Sequence, residues 1–292
     1  MTTTAKRGAA PARASGSMPD LRYTEAEEEL RGVVRGLLAD RSPWPAVLAR
    51  IETSVPGDPP RTMRLSGQVL GVADALTADV FLVPADGRPF GLCAVDAAAD
   101  GVTLAPVTSL DATRPLADLV FDKALGRVVA VNEEAGAGVL AGLWAGAAML
   151  ASEQLGVAQR CLDMTVAYVK ERHQFARPVG SFQALKHRLA DVWIEVTQAR
   201  AAARYAAACL ATGDADTPVA VALAKAACGE AAVHAAEECV QLHGGIGFTW
   251  EHPAHLLLKR AKSGSIAFGT PGQHRTALAQ MAHLPPPAGQ GG

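Results

Sequence analysis

The chain has 292 residues, 49% of them hydrophobic, and its 27 basic and 29 acidic side chains leave a formal net charge of −2. A near-neutral balance implies no broad basic surface for nucleic acid. No uninterrupted apolar run of membrane-spanning length is evident, which points to a soluble, cytoplasmic protein with room for two domains, or one domain and an arm.

Residues 1–20, MTTTAKRGAAPARASGSMPD, are polar and rich in Ala, Pro and Ser without an apolar signal core, so they read as a disordered tail. Residues 24–40 carry an amphipathic pattern with Leu30, Val33, Val34, Leu37 and Leu38 as its stripe. Thr24 with Glu27 three positions later is a capping-box pattern, and the early carboxylates suit the helix dipole. A short helix over 46–51 is expected next, before SVPGDPPR ends the helical segment 21–60. Between 61 and 130 the texture changes. RLSGQVLGV, VFLVPA, FGLCAVDA and GVTLAPV are short apolar, β-branched runs separated by Gly, Pro and Asp, the spacing of a small antiparallel β-domain.

Residues 131–282 read as a bundle. Leu140, Leu143, Trp144, Ala147, Leu150, Ala151, Leu155, Ala158, Leu162, Val166 and Val169 recur at helical steps, so one long helix is predicted over about 135–172. It breaks at 174–178, where Pro178 cannot continue a helix. Ser181 is the expected N-cap of the next helix, which Phe182, Leu185, Leu189, Val192 and Trp193 open. A turn at 212–218, a helix over 219–242 and a last helix over 271–281 complete an antiparallel bundle. The final stretch, LPPPAGQGG, reads as a second disordered tail over 283–292. Cys93, Cys161, Cys209, Cys228 and Cys239 are scattered without a ligand spacing, so buried reduced thiols are expected. His252 and His255 have no third ligand at a useful spacing, and no metal site is expected.

The stretch around the break is the most polar of the bundle. Lys170, Arg172, His173, Gln174 and Arg177 crowd beside Phe175, and a helical bundle does not need them to fold. They make either a solvated corner or an anion-binding one.

ERHQFARPVGSFQALKHRLAD resembles the signature helix-loop-helix of the acyl-CoA dehydrogenase family, flavoproteins that desaturate acyl-CoA thioesters between the α and β carbons. VQLHGGIGFTWEHPAHLLLKRAK, at 240–262, resembles the family's other signature, and residues 76–122 resemble the end of its middle β-domain. The resemblance implies a mainly α fold with a small β-domain: a C-terminal antiparallel helical bundle preceded by a partial antiparallel β-domain and a truncated N-terminal helical segment. Most of the usual N-terminal helical domain and the first β-strands are missing by this comparison, and an internal loss is the expected reason.

The implied cofactor is FAD. By resemblance Arg172 offers its pyrophosphate a cation, and Gln174 and Phe175 touch the adenosine diphosphate end of an FAD bound mainly to a neighbouring subunit. Gln241, Gly244 and Gly245 would contact flavin across the same interface, and Thr270 would donate to FAD. Two departures bear on this. The usual QFG reads QFA, and Ala176 tolerates a left-handed backbone less well than Gly, so an altered loop is expected. The Gln usually two residues after Thr270 is Gly272, with Gln273 adjacent. The Glu that abstracts the α proton in many members is replaced by Phe268, and the alternative position on the long helix holds Gly146; Phe and Gly cannot act as bases. Glu153 and Glu251 are the remaining candidates. Three readings follow. The first is a small subunit of a heteromeric acyl-CoA dehydrogenase, completed by a full-length homologue and served by an electron-transfer flavoprotein. The second is an autonomous homo-oligomeric enzyme with an unconventional base, and the third a non-catalytic scaffold.

Overall fold

The computed structural model describes residues 62–86 and 90–282. The tails expected at 1–20 and 283–292 and the helices expected at 24–40 and 46–51 lie outside the described residues.

Five strands come first: β1 (Thr62–Ala73), β2 (Val80–Ala85), β3 (Gly91–Asp96), β4 (Val102–Val107) and β5 (Leu116–Val131). The long β5 organises them, pairing antiparallel with β1, β3 and β4, while β2 pairs with β3. Period-two alternation sends Cys93, Val95, Ala117, Leu119 and Phe121 inward, where they meet Leu65, Phe81 and Ala124 in one apolar cluster. Against β5, Gly101 at φ 83 has no room for a side chain: a Cβ there would fall 2.2 Å from the Asp122 carbonyl oxygen.

β5 feeds directly into α1 (Asn132–Glu171), a 40-residue helix. A two-stranded hairpin, β6 (His173–Gln174) and β7 (Arg177–Pro178), and a 3-10 turn lead to α2 (Gln183–Thr212). Then come α3 (Thr217–His243), a 3-10 turn at Gly244–Phe248, α4 (Ala254–Ile266) and α5 (Pro271–Met281). α3 is central, packing against the other four helices. Its buried face is almost all Ala, Val, Cys and Gly, small side chains that let neighbouring backbones approach closely. Ser181 is not the N-cap of α2. It lies in the 3-10 turn Val179–Ser181, and Phe182 holds the cap position with no side-chain bond, because the backbone turn fixes the entry instead. α5 opens on a full capping box between Thr270 and Gln273. All five cysteines are free and buried.

By length and composition two helical stretches, Asn132–Glu171 and Thr217–Phe248, could cross a membrane, which corrects the expectation of no such run. Their apolarity comes largely from Ala and Gly, and the second is a mostly buried core helix.

Sheet and bundle are tied by an arginine clasp. Arg260 of α4 donates from Nε to Glu153 Oε1 at 2.7 Å and from Nη1 to Asp111 Oδ2 at 3.1 Å, and Arg114 donates to the other Glu153 oxygen at 2.6 Å. Asp111, on the loop before β5, is 1% exposed.

Candidate functional site

α1 ends as the Arg172 N–H closes on the Tyr168 carbonyl at 2.9 Å, and the chain turns back through the hairpin β6–β7. Phe175 and Ala176 form its two-residue turn at φ 54 and 60. That is the left-handed pair a tight hairpin requires, normally supplied by Asn or Gly. Ala176 thus adopts a left-handed backbone without glycine, at about 1–2 kcal/mol of strain per non-glycine residue. What holds it is close packing. The Val179 N–H donates to the Arg172 carbonyl at 2.8 Å, and a Cβ on Gly180 would meet the Val169 carbonyl oxygen at 2.9 Å. Ala176→Gly is accordingly expected to raise stability by about 0.5–1 kcal/mol in urea unfolding, the relieved strain less the entropy of glycine.

The corner faces solvent. Phe175 is 88% exposed and meets Phe182 only edge-on, at 6.2 Å between centroids, while the Arg177 guanidinium covers the Phe182 ring at 3.9 Å. Arg172, Gln174 and Gln241 are exposed as well. Beside them α3 stops at Gly244, φ 64, and neither Gly244 nor Gly245 would bring a Cβ within 4 Å of anything. The two segments are joined by a ring stack that sequence reasoning missed. His243 is buried between Tyr168 of α1, at 4.4 Å, and His252, at 4.3 Å. Burial pulls the His243 pKa down, but hydrogen bonds to the Cys239 thiol and carbonyl outweigh it and leave the imidazole above its ordinary value. The available signal was Tyr168 three residues before the first signature and His243 inside the second.

The positions where a base is sought lie elsewhere. Phe268, at φ 55, lays its ring on the bare backbone of Gly146, so that a Cβ on that glycine would sit 2.6 Å from Phe268 Cζ. Two positions that can each hold the carboxylate in this resemblance thus face one another as phenyl on glycine. The Phe268 carbonyl accepts from His274 Nε2 at 2.9 Å, and burial holds the His274 pKa below the ordinary imidazole value. Thr270 spends its N–H and hydroxyl on Gln273 in the capping box.

Gly146 and Arg172 are 26 positions apart along α1 and its cap, which at helical rise is about 39 Å. Arg172, Gln174, Phe175, Gln241, Gly244 and Gly245 lie where α1 and α3 end, joined by the Tyr168–His243 stack, whereas Phe268 packs on Gly146 well inside α1 and Pro271, next to Thr270, packs on Gly229 midway along α3. Both oxygens of Glu153 are held by Arg114 and Arg260, and Glu251 is exposed at the His252 end, its pKa lowered by a hydrogen bond from Thr249. Among the described residues no group of three or more His, Cys, Asp or Glu could hold a metal. His252 and His255 are engaged locally, the first accepting from the Ala254 N–H and the second bonding the His252 carbonyl.

A small antiparallel sheet leading into a helical bundle, with an exposed polar corner at the end of its longest helix, is an acyl-CoA dehydrogenase-like architecture. The chain belongs to the acyl-CoA dehydrogenase family: the profile of the acyl-CoA dehydrogenase C-terminal domain matches residues 137–283. It is 41% identical over 182 residues to acyl-CoA dehydrogenase IpdE2 of Mycolicibacterium smegmatis, covering 60% of this chain and 54% of that protein. It is 40% identical over 203 residues to acyl-CoA dehydrogenase FadE34 of Mycobacterium tuberculosis, covering 69% of this chain and 27% of that one. The chain thus spans about half the length of the first relative and about a quarter of the second. Among solved structures, the Tcur3481-Tcur3483 steroid ACAD G363A variant matches with a TM-score of 0.68 at 31% identity, covering 75% of this chain and 59% of that one. The ChsE4-ChsE5 complex from Mycobacterium tuberculosis matches at 0.69 and 28%, covering 80% and 65%.

Proposed function

We propose that this chain is one subunit of a heteromeric, FAD-dependent acyl-CoA dehydrogenase in the cytoplasm. It lends its corner to an FAD whose ring lies in the pocket of a full-length homologue. The observation that carries the reading is the phenyl of Phe268 seated on Gly146: neither base position offers a proton acceptor, while the corner 39 Å away, by the helical estimate above, remains open.

The corner fits a dinucleotide. Arg172 supplies a cation and Gln174 and Gln241 supply amides. The bare Gly244 and Gly245 leave room for a ligand against the backbone. FAD, once bound, supplies the hydride acceptor for α,β-desaturation. This chain binds and orients its diphosphate end, and the partner contributes the carboxylate that removes the α proton. Exposed Phe175, Phe248 and Trp250 rim the same end and suit a partner surface. The Thr270 end faces a nucleotide of its own pocket, where Phe268 leaves desaturation without a base. The substrate class is a bulky acyl-CoA, a steroid-derived thioester by analogy with the steroid ACAD structure, and the acceptor an electron-transfer flavoprotein. The two-component ChsE4-ChsE5 complex supports the pairing.

Co-expression with a full-length homologue encoded nearby tests this. The expected result is a yellow complex that reduces an artificial electron acceptor in the presence of acyl-CoA, and an inactive single chain. Arg172→Ala in the complex should weaken FAD retention about 10- to 100-fold, the loss of one charge-assisted contact. Turnover by the isolated chain would overturn the reading, as would a complex that forms without flavin.

A further inference from the structure

The apolar face of α1 runs on past the helices that cover it. Ala147, Ala151 and Ala158 are buried in the bundle core. Leu143 stands four positions before Ala147 and Leu140 three before that, so both ride on the same face of the helix. Yet Leu140 is 50% exposed and Leu143 49%. One turn further on, Phe268 lies on Gly146 and is itself half exposed. From Gly136 to Gly146 this makes a strip of apolar surface about 15 Å long at helical rise. The most apolar 18 residues of α1 are only 28% buried, against 67% for those of the Thr217–Phe248 stretch. A contiguous apolar strip at the end of a core face is a surface with a partner to find.

The chain itself carries a matching stripe. In residues 24–40, Leu30, Val33, Val34, Leu37 and Leu38 would span about 12 Å of helix, close to the length of the strip. An amphipathic segment of this size takes its helical stability from a face to pack on. The path of the chain permits the contact. β1 begins at Thr62, which pairs with Arg127 of β5, and five residues beyond Arg127 the chain has entered α1 at Asn132. The start of β1 is therefore about 20 Å from the foot of α1. Residues 41–61 join the two segments, and a flexible link of that length spans about 25 Å. A tether of this reach holds the stripe near the strip at millimolar effective concentration, ahead of any free competitor.

Charge sets the direction. Glu133 and Glu134 are exposed in the first turn of α1. The segment begins acidic, with Glu25 and Glu27–Glu29, and its two cations, Arg31 and Arg35, come later. Antiparallel docking turns the acidic start away from Glu133 and Glu134 and brings the arginines toward them. It also leaves residue 40 at the foot of α1, where the link arrives. We propose that residues 24–40 dock as a helix, antiparallel, on the uncovered strip of α1 at Leu140 and Leu143. The docked helix closes this face from within the same chain and shields the Phe268–Gly146 contact from water. The contact does not depend on the flavin pairing above.

The full chain tests it, since its five native thiols are buried. Val34→Cys combined with Leu140→Cys should give, with a short bismaleimide, a cross-link within one polypeptide that persists on dilution. Cross-links formed only between two polypeptides would hand the face to a second copy and overturn the proposal. Hydrogen exchange reads the same contact without the paired cysteines. Amides 30–38 should exchange about tenfold or more slowly than in an unstructured chain, and Leu140→Glu with Leu143→Glu should abolish the difference. A variant outside the bundle covers the case in which those two disturb folding: Leu37→Glu should raise the maleimide reactivity of a single Leu140→Cys thiol about tenfold. Unprotected amides in the native chain, protection gained only on adding a full-length homologue, or a Leu140→Cys reactivity indifferent to Leu37→Glu would each overturn the proposal.

Discussion

Arg260→Ala is expected to lower folding stability by about 3–5 kcal/mol, the cost of breaking a buried ion pair from one side. The magnitude follows from what is left behind. Asp111 is 1% exposed and receives Arg260 Nη1 at 3.1 Å, so truncation strands a buried carboxylate. Thr113 also loses a donor, at 3.2 Å. Glu153 suffers less because Arg114 still holds its second oxygen. Arg260→Lys should recover only part of the loss: an ammonium cannot reproduce a guanidinium that reaches Glu153 with Nε and Asp111 with Nη1. Urea unfolding monitored by circular dichroism gives the numbers. A cost below about 1 kcal/mol would put the clasp among ordinary surface ion pairs and remove it as the tie between sheet and bundle.

The second large effect depends on pH. Burial pushes the Lys225 pKa down from 10.5 to about 8. The folded chain therefore releases this proton at lower pH than the unfolded chain does, and between those values the unfolded state binds more protons. Stability contributed by this group rises with pH across that window, by up to about 3 kcal/mol between pH 7 and 10.5. Other groups titrate in the same range, the buried thiols among them, so the measured quantity is the difference between the native chain and Lys225→Met. That difference should shrink if Lys225 penalises folding only while charged. A pH-independent difference would mean that its ammonium is solvated in the folded chain as well as in the unfolded one.

How far the sequence reached depended on the range of the interaction. The change of texture near 130 was legible, because a period of two gives way to one of 3.6, and β5 does end at Val131 with α1 beginning at Asn132. The corner was legible because Pro178 cannot be helical. Ser181 misled because its type suits a cap, whereas the 3-10 turn had already fixed the chain's direction. The tolerance of Ala176 was invisible for a related reason. Backbone pairing and the close fit of Gly180 on Val169, rather than side-chain preference, hold that turn. The clasp could not be anticipated, since Arg260 and Asp111 are 149 positions apart and neither lies in a motif that predicts the other. The separation of corner and base position was within reach. It needs only that Gly146 and Arg172 ride on one helix and that the rise per residue be counted.

That helix acts as a ruler, and it has a stoichiometric consequence. Under the proposed pairing, the corner and the Phe268 position lie too far apart to share a nucleotide, so a chain would take part in two flavin sites or one, never in a private one. If each productive site needs the corner of one chain and the base of another, a mixed pair holds a single productive site, and saturating it should titrate at one reducible flavin per two polypeptides. Flavin reduced by excess acyl-CoA, counted against protein mass, would reveal that ratio.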